Sequence, residues 1–247
     1  AAGNTGAVST GLGVTVDTTA PTGVGTDSLT TGDDTPELTG TVNDTTADVE
    51  VTVDSSTYTA TNNGDGTWTL ADNTLPSLSD GSYDITITAT DTAGNTSTDT
   101  NSGALTINTT LPSTPVFTAI SNDSGTTGDF VTNDTTLVFD GTADPNVTVE
   151  IFDGASALIG TVIADGSGNW SFDYTGTILS EGVQSFTAEA IDGLGNRSAS
   201  GSVSVTIDLT APASPVVASI SSDTGASATD ELTSDTTLEI AGTAEAN

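Results

Sequence analysis

Apolar and polar residues alternate in short runs along this chain. In Tyr83-Asp-Ile85-Thr-Ile87-Thr-Ala89 every second side chain is apolar, and Phe186, Ala188 and Ala190 follow the same spacing. Val49-Glu-Val51-Thr-Val53 and Val147-Thr-Val149-Glu-Ile151 repeat it. A period of two places the apolar side chains on one face of a β-strand. Turn-forming groups punctuate the runs: Asn63-Gly-Asp-Gly66, Asp80-Gly81, Asp165-Gly-Ser-Gly168 and Glu181-Gly182. No stretch of helical length carries a helical period, so the pattern predicts an all-β chain.

The pattern also recurs at a period of about 100 residues, the sign of a tandem array. Gly40, Gly141 and Gly242 each precede Thr, Asp91 and Asn95 return as Asp192 and Asn196, and Trp68 returns as Trp170. Between these marks a junction appears three times: Val14-Thr-Val-Asp17-Thr-Thr-Ala-Pro21, Leu105-Thr-Ile-Asn108-Thr-Thr-Leu-Pro112 and Val205-Thr-Ile-Asp208-Leu-Thr-Ala-Pro212. Each reads as a strand end, an Asp or Asn, a short hinge and a Pro. The divisions that follow are 1–16 as the last strand of a preceding repeat, 17–107 and 108–207 as full repeats, and 208–247 as the start of another. A repeat of that length with seven short strands matches the immunoglobulin-like sandwich. In the second repeat strand A follows Pro112, and B to G are read as 137–140, 147–152, 158–164, 170–174, 184–191 and 202–207. The expected fold is therefore a set of tandem immunoglobulin-like β-sandwich repeats, end to end. Trp68 and Trp170 open strand E and are read as core packing, with a ligand-stacking ring on an open face as the alternative.

Composition narrows the partners. The chain of 247 residues carries 34 acidic residues against one basic residue, Arg197, with no His and a formal net charge of −33. Such a charge opposes nucleic acid and anionic membrane surfaces and suits a cation-rich extracellular setting. An acidic, aromatic-poor composition also resembles that of disordered chains, but clean alternation argues for folded strands. There is no Cys, so neither disulfides nor a thiolate metal site is available. No apolar run approaches membrane-spanning length, so membrane insertion is not expected. The chain does not begin with Met, and any targeting signal is expected elsewhere in a longer protein. Catalysis is not expected either: there is no His base and no Cys nucleophile, and the paired Asp33-Asp34 lacks the cleft that a glycosidase dyad needs.

Taken together, Asp-Thr-Thr-Ala-Pro at 17–21, Asp-Thr-Gly at 223–225 with its variant Asp123-Ser-Gly125, Gly-Thr-Ala at 141–143, Asp-Gly-x-Gly-x-Trp at 165–170 with Asn63 in place of the first Asp in the copy that ends at Trp68, and Asp-x-x-Gly-Asn at 91–95 and 192–196 resemble the bacterial Ig-like repeats of giant secreted adhesins. RTX-type adhesins and the long ice-binding and epithelial adhesins of Gram-negative bacteria belong to this group. The resemblance spans essentially the whole chain. It implies type I export, an extended rod at the bacterial surface with Ca²⁺ at the domain junctions, and adhesive domains placed elsewhere. Where that pattern has Asp at the junction, the middle copy has Asn108, so a site there is expected to be weaker.

The topology of a seven-strand sandwich gives this expectation residues. Loops B–C, D–E and F–G gather at the pole where the chain comes in, beside the junction residue. Asp17 should therefore approach Asp91 and Asn95, with Asp44 from the B–C loop; Asn108 should approach Asp192 and Asn196, with Asp144. Asp208 plays the same part at the third junction. A second group lies in the A–B loop at the other pole, Asp123 and Asp129 in one copy and Asp223 and Asp230 in the next. Convergent short acidic and amide side chains with no Lys to neutralise them suit Ca²⁺, which takes six to eight oxygen ligands in flexible geometry. Without His or Cys a transition metal does not fit. The alternative is that each of these residues makes an Asx-turn and nothing more. The expected partners are the neighbouring repeats of the same chain. Two other functions remain open, a carbohydrate-binding module using loops or the Trp positions, and a subunit of a polymeric filament.

Overall fold

The computed structural model describes residues 13–221, 227, 232–234 and 236–245. All regular elements among them are strands. The first copy contains β1 (Gly25–Thr26), β2 (Leu29–Thr31), β3 (Leu38–Thr41), β4 (Asp48–Val53), β5 (Ser56–Asn62), β6 (Thr67–Leu70), β7 (Gly81–Thr90) and β8 (Thr96–Ile107). The second contains β9 (Val116–Ile120), β10 (Val131–Thr132), β11 (Val138–Thr142), β12 (Thr148–Asp153), β13 (Leu158–Ile163), β14 (Asn169–Asp173), β15 (Gly182–Ile191) and β16 (Gly201–Ile207). A further antiparallel pair, β17 (Val216–Ile220) and β18 (Ile240–Thr243), follows.

In the second copy the strands form two sheets, ordered β10-β16-β15-β12-β13 and β14-β11-β9. The first copy has the same two layers, joined because β5 changes partner along its length. Its first residues pair with β4, Val49 opposite Ala60, and its last two with β6, Asn62 opposite Trp68. These are the layers of an immunoglobulin-like sandwich. Each copy holds eight strands where the alternation predicts seven. The extra ones, β2 and β10, run parallel to β8 and β16, with Leu29 opposite Leu105 and Val131 opposite Thr206. They are three and two residues long, too short to display a period.

The alternation decides which side chains enter the core. Ile85, Ile87 and Ala89 of β7 are buried between partly exposed Thr86, Thr88 and Thr90. Opposite them on β4, Val51 faces Ile87 and Val49 faces Ala89. The outer faces of the same strands carry hydroxyls paired across strands, Thr52 with Thr57 at 2.9 Å and Thr86 with Thr100 at 2.9 Å. Cross-strand pairs of this kind each add a few tenths of a kcal/mol, up to about 1.

Both tryptophans sit inside, which removes the ring-stacking route to a carbohydrate. Trp68 is fully buried, and its indole N–H donates to the Gly25 carbonyl at 2.9 Å. Trp170 is 3% exposed and meets Phe117 edge-on at a centroid distance of 5.2 Å. In each copy a glycine lies under the ring. A Cβ on Gly40 would stand 2.7 Å from the Trp68 ring, and one on Gly141 would stand 2.1 Å from that of Trp170. The recurring Gly-Thr of the sequence is therefore a seat for the indole.

Candidate metal centre

The turn between β7 and β8 is built on Asp91. Its Oδ1 accepts the backbone N–H of Ala93 at 2.9 Å and of Asn95 at 2.8 Å, and its Oδ2 accepts the Asn95 amide at 2.7 Å. The β15–β16 turn repeats this set on Asp192, with Leu194 at 2.8 Å, the Asn196 backbone at 2.9 Å and the Asn196 amide at 2.9 Å. Chiefly the Asn95 side-chain bond holds the Asp91 carboxyl below its ordinary value. At Asp192 burial acts in the opposite direction, but the bonds from Asn196, Leu194 and Gly195 outweigh it and the carboxyl is again lowered.

These turns reach the junctions as the topology requires. The Asn95 amide also donates to the carbonyl of Asp17 at 3.2 Å, and that of Asn196 to the carbonyl of Asn108 at 2.9 Å. Asp144 arrives from the β11–β12 loop, its Oδ2 accepting the N–H of Ser113 at 2.8 Å. Asp44 turns inward on its own loop, capping the N–H and hydroxyl of Thr46, each at 2.8 Å. The junction residues behave alike whether Asp or Asn. The Oδ1 atoms of Asp17, Asn108 and Asp208 accept the N–H two residues on, from Thr19 at 3.0 Å, Thr110 at 3.1 Å and Thr210 at 2.9 Å. At the first two junctions the Asn amide thus bridges a carboxylate oxygen of its own turn and the carbonyl of the junction residue.

The loop between β9 and β11 differs. Asp129 accepts the N–H of Val131 at 3.0 Å, and Asp134 accepts the Asn122 amide at 2.6 Å, the main reason its carboxyl is lowered. Asp123 places one oxygen on the N–H of Gly128 at 2.6 Å. Its other oxygen, Oδ1, is buried with no hydrogen-bond partner. A buried polar atom left unsatisfied costs about 1–3 kcal/mol, more for a charged group, and an ion is one of the standard ways to satisfy it. The donor set of this loop, all oxygen, suits a hard cation such as Ca²⁺. Among the described residues no group of three or more acidic side chains is arranged to hold a metal, so a cation here would draw on carbonyl and amide oxygens as well. Asp223 and Asp230 lie outside the described residues.

Two acids that the sequence marks only as turn formers stand at the opposite pole of each copy. Asp80 accepts three hydrogen bonds from Thr109 and Thr110, and Glu181 accepts one from Thr210. The signal for them lies in the junctions themselves, where the residue two places after Asp17, Asn108 and Asp208 is Thr in all three copies.

Eight strands in two layers, repeated in tandem with a patterned junction, define an array of immunoglobulin-like modules. Residues 13–109 and again 110–209 match the bacterial Ig-like domain family. The chain belongs to that family. No curated protein matches it. Among solved structures it is similar to a Ca²⁺-stabilised adhesin with which an Antarctic bacterium reaches out and binds ice, at 24% identity over 78% of this chain and 49% of that one, with a TM-score of 0.43. It is also similar to a 1.5-MDa bacterial ice-binding adhesin, at 23% identity over 78% of this chain and 64% of that one, TM-score 0.39. A third is a tetra-tandem repeat from the extending region of a large adhesion protein, at 28% identity over 78% and 49%, TM-score 0.31. The chain thus spans about half the length of two of these structures and 64% of the other.

Proposed function

We infer that the chain is a structural extender segment of a large bacterial cell-surface adhesin, and that its work is reach and stiffness. The observation that carries this reading is the built junction. The Asn108 N–H donates to the carbonyl of Thr31 at the end of β2, and the Asn108 carbonyl receives the Asn196 amide, each at 2.9 Å. A residue held from both sides is a poor flexible linker and a good spacer element. The family assignment in two adjoining copies supports the same reading. So does a residue set with one cation and neither His nor Cys, which offers few tools for catalysis. The partners are then the neighbouring repeats, the setting is extracellular, and adhesive contact belongs to other domains.

Ca²⁺ stiffens such a spacer by drawing together oxygens that otherwise repel. In this chain Asp123 and Asp129 would hold it, with the Asp123 Oδ1 atom as the anchor. The test is to titrate Ca²⁺ into the chelated chain while following melting temperature and solution scattering. The expected response has a midpoint of roughly 10⁻⁴–10⁻³ M, the range of extracellular modules, and is reduced in Asp123→Asn. If neither quantity moves at millimolar Ca²⁺, the stiffening role is wrong.

A further inference from the structure

We propose that Asp80 is a metal-independent latch on the linker that leaves its own copy, and that Glu181 is its counterpart at the next junction. Both oxygens of Asp80 are used. Oδ1 accepts the N–H of Thr109 at 2.9 Å and its hydroxyl at 2.7 Å, while Oδ2 accepts the hydroxyl of Thr110 at 3.2 Å. An ordinary turn-forming Asp caps the N–H two residues on, as Asp44, Asp65 and Asp165 do here. Asp80 instead binds partners 29 and 30 positions away. Hydrogen bonds to an ionised carboxylate are about twice as strong as neutral ones.

The arrangement recurs with a different acid. Oε1 of Glu181 accepts the hydroxyl of Thr210 at 2.7 Å, and Thr210 follows Asp208 as Thr110 follows Asn108. Leu209 stands where Thr109 does, so the second hydroxyl bond is absent there and the bond to the +2 Thr is the shared one. That Thr is anchored twice. Its N–H goes to the junction residue, Thr110 to Asn108 at 3.1 Å and Thr210 to Asp208 at 2.9 Å, while its hydroxyl goes back to the acid of the sandwich just left. A short hydroxyl side chain does both, and this gives a reason for Thr at that position in all three junctions. The latch ties the linker to the preceding copy, whereas Asn196 ties it to the following one; neither tie requires a cation.

This inference rests on the extender reading, and the two fail differently. The chain has no cysteine, so spin labels at Thr59→Cys and Thr161→Cys in the full chain report one distance between the copies. In chelator the parent should give a narrow distribution, and Asp80→Ala a clearly broader one. Backbone exchange at Thr109 should accelerate roughly tenfold, the order expected for one hydrogen bond to a charged group. Thr110→Val, which keeps the side-chain shape, should broaden the distribution partially. Asp80→Glu, imitating the second junction, should restore most of the narrow width. Unchanged width and unchanged Thr109 exchange in an Asp80→Ala chain that melts like the parent would overturn the latch. A parent that stays broad even in Ca²⁺ would refute the extender reading; the Thr109 amide still judges the latch, which then stands only if that amide exchanges faster in Asp80→Ala.

Discussion

Gly40→Ala tests the packing of the first copy at its most crowded point. A Cβ there would lie 2.2 Å from the Gly25 carbonyl oxygen and 2.7 Å from Cε2 and Cζ2 of Trp68. Neither neighbour can yield easily. Gly25 is paired with Thr41 in the β1–β3 ladder, and the Trp68 ring is fully buried with its N–H committed to the same Gly25 carbonyl. Forcing an extra carbon into a packed core costs about 1–3 kcal/mol. Against this, Ala in place of Gly restricts the unfolded chain and returns about 0.4–1 kcal/mol. The net loss is about 1–2 kcal/mol, which lowers the melting temperature of a domain this size by about 4–15 °C. Gly25→Ala is the control, because its Cβ meets nothing closer than the Thr41 hydroxyl at 3.4 Å. It should be neutral or more stable than the parent by up to about 1 kcal/mol. A Trp170→Phe background leaves Trp68 as the sole indole, so fluorescence melting then reports the first copy alone. If Gly40→Ala and Gly25→Ala melt together within about 1 °C, sterics under the indole do not explain the Gly-Thr repeat.

Asn196→Ala removes the bonds to Asp192 and the Asn108 carbonyl at a buried position, and should cost about 1–3 kcal/mol by urea denaturation. Asn196→Asp puts a carboxylate against those same oxygens; it should be worse than Ala in chelator and recover in millimolar Ca²⁺, as read by melting temperature. Because the Asp91 carboxyl is held below its ordinary 3.8, chiefly by Asn95, its contribution is present above that value and lost as pH falls through the lowered one; the melting difference between the parent and Asp91→Asn should shrink below about pH 4. Arg197→Ala breaks contacts to Glu150 at 2.6 Å and Glu189 at 3.1 Å, but its side chain is 47% exposed. The loss should be under about 1 kcal/mol and fade further in molar salt.

The strands were legible because each long one buries one face, and burial writes a period of two into the sequence. β7 and β15 each alternate buried and partly exposed residues over their second halves, and both were legible in the sequence. β2 and β10 were not, since their pairing to β8 and β16 depends on backbone placement and involves at most three residues. The gathering of loops at one pole was also legible. It needs only strand order, and Asn95 and Asn196 do reach the carbonyls of Asp17 and Asn108. The partners of individual carboxylates were not. Composition cannot tell an Asp that caps its own turn, as Asp44 does, from one that reaches across a junction, as Asp80 does. Nor does it reveal that Asn108 makes the same bond as Asp17 and Asp208. The acceptor there is a single oxygen that both residue types possess.

The Arg197 contacts bear on resistance to proteolysis. Trypsin-type proteases select a basic side chain by a carboxylate in their specificity pocket, and this chain offers them one such residue. That guanidinium is already held by two carboxylates of its own sheet. The bond that would be cut leads into Ser198, which is buried and whose N–H donates to the Ala190 carbonyl at 2.8 Å. Cleavage needs an extended, accessible segment, so this site opens only when the sheet around it does. For trypsin-type proteases the one basic residue of this chain is therefore folded away in the native sheet.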